Sequence, residues 1–180
     1  MNSADIITML GNLSQSLLPV QRLITGFAYL LGLMFFFIAI QKLRKIGDAR
    51  SGSGSHERMF VPLSYLLAGA ALLFLPTAVG VLSNTAFGTG NVLQYSSYNR
   101  LNIYYSIGIL IQTAGLIWFV RGAVLLAHAS QPGVQEGPKG LVFLIAGVLA
   151  INFEYTMSTV NTLLEQFFTL TLAVKSARGY

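Results

Sequence analysis

LITGFAYLLGLMFFFIAIQ, Leu23 to Gln41, runs for 19 residues without a charge. A helix rises about 1.5 Å per residue, so about 20 apolar residues cross the roughly 30 Å hydrocarbon core of a bilayer. The stretch therefore predicts a first transmembrane helix and places the chain in the all-α integral membrane class. The rest of the sequence agrees. Of 180 residues, 54% are hydrophobic and 9% charged, and the mean hydropathy is +0.65. A water-soluble domain of this size does not carry such a balance.

Working outward, Met59 to about Ser83 contains VPLSYLLAGAALLFLPTAVGVL, with Pro76 expected to kink a second span. LNIYYSIGILIQTAGLIWFVRGAVLL, Leu101 to Leu126, predicts a third, and Gly140 to about Val160 a fourth. Four spans then form two hairpins, 23–83 and 101–160, joined by a loop over 84–100, all within one membrane domain over 1–180. The flanks are amphipathic. In 1–22, Ile6, Leu10, Leu13 and Leu17 recur at helical spacing, as in a helix lying on a membrane surface, and 161–180 reads as a second interfacial segment.

Five of the eleven basic residues, Lys42, Arg44, Lys45, Arg50 and Arg58, fall between Gln41 and Arg58, around a flexible SGSGS centre. The net charge of +5 therefore reads as a topology signal rather than a nucleic-acid site. By the positive-inside rule this loop is cytoplasmic. The connection QPGVQEGPKG, Gln131 to Gly140, then lies on the same side, with Pro-Gly and Gly-Pro pairs marking tight turns. Both termini and 84–100 are expected in the periplasm. The first charge is Asp5 and no Lys or Arg precedes Arg22, so a cleaved signal peptide is not expected.

The chain also resembles itself. A shift of 83 residues lays GLMFFFIAI at Gly32 onto GLIWFVRGA at Gly115, and a shift of 78 lays LLAG at Leu66 onto LIAG at Leu144. Small residues follow the same shifts. Thr25, Gly32 and Ala39 recur every seven residues and fall on Gly108, Gly115 and Gly122. Pro62, Gly69, Pro76 and Ser83 fall on Gly140, Gly147, Glu154 and Asn161. In lipid, helices associate through close backbone approach and side-chain hydrogen bonds, so such stripes predict packing faces. Gly32, Gly69, Gly108, Gly115, Gly147 and Glu154 are the expected assembly determinants.

Glu154 is the one acid within the four expected spans. Its stripe predicts that it faces other helices, about fifteen residues into the fourth span and near its outer boundary. Arg22 and Arg100 share that depth and are its candidate partners, with Tyr104 and Tyr105 as weaker donors. Arg121 is expected at the cytoplasmic end, reaching headgroups. Tyr95, Tyr98, Tyr104 and Tyr105 fit an aromatic belt at the outer start of the third span.

Catalysis is not indicated. The chain lacks HExxH, GxSxG, a Walker loop and any cysteine, so no catalytic or metal site and no cofactor is expected. His56 and His128 lie at the other end from Glu154, which weakens a proton-relay reading.

The fourth span and its approach, GPKGLVFLIAGVLAINF, with four short spans and a basic first loop, resemble the small inner-membrane proteins of type IVB secretion and conjugation systems. These are the IcmC/DotE group and the similar TraQ proteins of IncI-type plasmids. The resemblance covers about Leu13 to Thr162. It implies a non-catalytic inner-membrane subunit of a machine exporting DNA or effector proteins from a Gram-negative bacterium. Its implied partners are other inner-membrane subunits, and energy would come from separate ATPases. Self-association and contact with lipid are also expected. The competing reading is a small oligomeric transporter or channel in which Glu154 faces a pore.

Overall fold

The computed structural model describes residues 3–51, 59–88 and 103–177, and among them every regular element is a helix. These are α1 Ser3–Ser51, α2 Phe60–Leu73, α3 Leu75–Phe87, α4 Ile103–Ala129, α5 Gly137–Ile151 and α6 Phe153–Ala177. Two helices, α1 over Ile6–Asp48 and α4, are long and apolar enough to cross a membrane. The count rises to four if α2 with α3 and α5 with α6 each form one span bent by 98° and 94°.

The first difference from the sequence reading is that α1 is continuous. Its 49 residues extend about 73 Å at 1.5 Å per residue, more than twice the hydrocarbon thickness. The segment 1–22 is therefore not a separate surface helix over its described part. Pro19 is accommodated inside α1. The inward face explains the continuity: Gly11, Ser14, half-buried Gln21, Ala28, Gly32, Phe35, Ala39 and Ile46 follow one another at intervals of three, four or seven, and all but Gln21 are buried. At the other end the helix continues past Gln41. Lys42, Arg44 and Lys45 are good helix formers, and Arg44 lies 4.0 Å from Asp48 one turn on.

α2 returns antiparallel along α1, and α5 along α4, which is its most extensive neighbour. α1 and α4 run parallel: Ser14 meets Ser106, Gln21 meets Thr113, and Phe35 stacks edge-on against His128. α2 also packs on α4, and the core lies where these helices meet. Phe35, Tyr65, Leu72, Phe119, Ala123 and Val148 are its central members.

The second difference lies in the breaks. Pro76 does not itself kink a continuous span. The bend is at Phe74 (φ −106°, ψ 41°), and Pro76 sits in the first turn of α3, where its missing N–H has no partner to lose. The fourth expected span breaks at Asn152 with nearly the same backbone (φ −101°, ψ 42°) and no proline. Here side chains bond across the bend. Asn152 Nδ2 and its backbone N–H both donate to the Val148 carbonyl, at 2.8 and 3.1 Å. Thr156 Oγ1 reaches across the break to the Leu149 carbonyl at 2.8 Å. Carbonyls that α5 would leave unpaired at its end are thereby satisfied.

Between α4 and α5, Pro132-Gly133 makes a tight turn. Val134 N–H donates to the Gln131 carbonyl at 3.3 Å, and Gly133 takes φ 85°, a conformation that favours glycine. Of the expected loop 84–100, residues 84–87 continue α3, and beyond Gly88 the loop lies outside the described residues.

Candidate functional site

The glycine stripes become two backbone-to-backbone seams. A Cβ on Gly32 would lie 2.9 Å from the Gly69 carbonyl oxygen, and one on Gly69 would lie 3.1 Å from that of Gly32. Gly115 and Gly147 face each other in the same way, at 3.0 and 2.9 Å. At Gly32, Gly115 and Gly147 a Cβ would have to displace the backbone opposite, and at Gly69 the neighbour would have to give by a few tenths of an ångström, so these glycines permit the close helix separation. Gly122 and Gly140 belong with them: a Cβ on Gly122 would lie 2.6 Å from the Leu144 amide nitrogen and 2.9 Å from the Gly140 carbonyl oxygen. Both lie on the seven-residue stripes, which is the signal that could have ranked them beside Gly115 and Gly147.

Gly108 is different. It is buried, yet a Cβ there would meet nothing within 4 Å. α5 ends level with the middle of α4, so the helix that packs against Gly115 and Gly122 does not reach Gly108.

Glu154 is exposed and occupies the first turn of α6. Its expected stripe holds for Gly140 and Gly147, which are buried, and stops at Asn152. The period-seven argument requires an unbroken helix, and the 94° bend redirects every residue beyond it. Pro76, past the equivalent bend at Phe74, is exposed for the same reason. Glu154 instead sits where a helix dipole favours negative charge. Arg22 is exposed on α1, and among the described residues it makes no ion pair with Glu154. Arg100 lies outside the described residues, as do Tyr95, Tyr98 and His56.

A polar seam that sequence reasoning missed joins α1 to α4. Gln21 Nε2 donates to Thr113 Oγ1 at 2.9 Å, and Thr113 Oγ1 donates to the Ile109 carbonyl at 2.7 Å. Seven residues earlier on each helix, Ser14 Oγ lies 3.5 Å from Ser106 Oγ. The available signal was the spacing of Ser14, Gln21, Ala28 and Phe35.

This seam fixes a register. Its partners are 92 residues apart, whereas the sequence shift is 83, so the second hairpin is displaced by about nine residues, or roughly 14 Å. Gln21 therefore lies level with Thr113. A Cβ on Gly115 would lie 2.8 Å from the Ile151 nitrogen, which brings the α5–α6 break to that level too. Arg22 and Glu154 are thus within about one helical turn of each other along the bundle axis, near the midpoint of α4.

At the opposite end, Phe35, Tyr65 and His128 form an edge-to-face cluster with centroids 5.4 to 6.4 Å apart. Lys42 Nζ lies 5.8 Å from the Tyr65 ring centroid, and Gln131 Nε2 donates to the Tyr65 hydroxyl at 2.6 Å. Arg121 is exposed, with its guanidinium 4.7 Å from the Phe143 ring centroid. No family model, curated protein or solved structure matches the chain.

Proposed function

We propose that this protein is a non-catalytic, multi-pass structural subunit of a bacterial inner-membrane complex for type IVB secretion or conjugative transfer. The observation that carries the structural role is the pair of glycine seams, Gly32 with Gly69 and Gly115 with Gly147. Some polar side chains also tie one helix to another, among them Gln21 to Thr113. The secretion assignment rests on the GPKGLVFLIAGVLAINF resemblance. In this reading α1–α3 and α4–α6 are two repeated hairpins giving four spans. The bent pairs α2–α3 and α5–α6 supply the second and fourth spans, and both termini are periplasmic.

The exposed surface fits this placement. Phe27, Leu30, Phe37, Leu67, Val142 and Phe168 are among many large apolar side chains left uncovered, which only lipid or neighbouring subunits can cover. The test is deletion of the chain in its host, with complementation by wild type and by Gly147→Leu. Wild type restores DNA or effector transfer and Gly147→Leu does not. Normal transfer in the deletion strain rejects the assignment.

A second reading is favoured by the paired helix breaks, because interrupted helices in corresponding positions of two halves are a feature of transporter sites. An oligomeric transporter or channel with Glu154 facing the pathway predicts that Glu154→Gln abolishes flux while the complex stays assembled.

A further inference from the structure

We propose that Arg121 is the docking point for a transmembrane helix of a second protein that carries an aspartate or glutamate at the same depth, so that the two charges pair inside the bilayer. The inference rests on the membrane-subunit reading above and gives one of its expected partners a chemical signature. Ser14 lies against Ser106 and Gln21 against Thr113, an offset of 92 residues, which puts Arg121 level with Tyr29. Tyr29 is six residues into the charge-free run from Leu23 to Gln41. The α-carbon of Arg121 is therefore about 9 Å from the outer boundary of that run and about 18 Å from the cytoplasmic one. The stagger between the hairpins moves it off the expected cytoplasmic end.

Arg121 is exposed, and among the described residues it has no acidic partner. Side chains lean towards the N-terminus of their helix, which on α4 is the outer end, so an arginine here would reach for the outer headgroups. Phe143 holds it back. The Gly140–Leu126 and Gly147–Phe119 approaches place Phe143 level with Ala123, and the guanidinium lies 4.7 Å from its ring centroid. The charge is kept at hydrocarbon depth, where ionised side chains are normally paired. A ring face attracts the charge but supplies no oxygen for the guanidinium's N–H donors, which a carboxylate accepts in pairs.

The surface around Arg121 suits a helix. On α4, Ile107, Ile111, Ala114, Trp118, Arg121 and Leu125 are exposed or half-buried and follow one another by alternating four and three residues, the spacing of a left-handed helix seam. A second copy inserted alike brings no described acid to this depth. Asp48 and Glu136 lie towards the cytoplasmic end, and Glu154 and Glu165 are on α6, which turns off at the outer boundary.

The test places the photoreactive residue p-benzoylphenylalanine at Trp118, one turn from Arg121 on the same stripe, or at Leu67 on α2 as a control, both being exposed positions. The full-length chain is irradiated in its host membrane and cross-linked peptides are identified by mass spectrometry. Position 118 captures an apolar segment of another protein with an aspartate or glutamate inside it, and position 67 does not capture that segment. Arg121→Leu lowers the capture about tenfold while the chain is recovered in membranes as before. Arg121→Glu also loses it, and changing the partner's acid to arginine restores it. Cross-links to lipid alone, to a second copy or to a segment without an acid overturn the proposal, as does undiminished capture with Arg121→Leu. Absence of the charge-swap rescue rejects the pair. A partner from outside any secretion or conjugation complex rejects the machine assignment alone. Transfer that depends on the chain, with only lipid captured at position 118, rejects the docking point alone.

Discussion

At Gly147 an added methyl group would lie 2.7 Å from the Phe119 amide nitrogen and 2.9 Å from the Gly115 carbonyl oxygen. Neither is the movable end of a side chain, so the two helices must separate. Gly147→Ala and Gly115→Ala should each lower stability by about 1–3 kcal/mol, the usual penalty of overpacking, as measured by SDS titration in mixed micelles. Gly26→Ala and Gly108→Ala should be neutral or stabilising by up to about 1 kcal/mol. Both have open space around the new carbon, and alanine is the better helix former. In the polar seam, Gln21→Leu should cost about 0.6 kcal/mol and no more than about 1.7, the range for hydrogen bonds between membrane helices. The loss stays small because Thr113 keeps its bond to the Ile109 carbonyl.

At the scale of elements, the charge-free run at Leu23 and the glycines at Gly32 and Gly115 made two long helices and two antiparallel contacts legible. Those features express what lipid demands: uninterrupted backbone bonding and close approach. The breaks were less legible. Pro76 announced an irregularity and misplaced it by two residues, while Asn152 gave almost no warning, since asparagine disrupts a helix only when its side chain competes for backbone carbonyls. That competition also explains why Glu154 was misdirected onto a buried face. If Asn152 and Thr156 hold the 94° bend, then Asn152→Leu with Thr156→Val should let α5 and α6 straighten. Spin labels on cysteines introduced at Val142 and Phe168, both exposed, should report a longer and broader distance distribution in the double variant than in the otherwise wild-type chain.

At the scale of the whole molecule, the stagger of about nine residues between the hairpins could not be read from their similarity, which suggests equal heights. It arises from contacts between unlike residues, Ser14 with Ser106 and Gln21 with Thr113, and a repeat search does not see them. The stagger brings Arg22 level with Glu154 and leaves a broad apolar surface around both. In the proposed reading such a molecule is a component: its glycines hold the helices together and its exposed apolar residues meet lipid or neighbouring subunits. Gentle-detergent recovery of the tagged protein from its host membranes, with mass spectrometry of everything retained, tests this most directly. Co-recovery of inner-membrane secretion or conjugation subunits is the predicted result, and recovery of the chain alone as a homo-oligomer would contradict it.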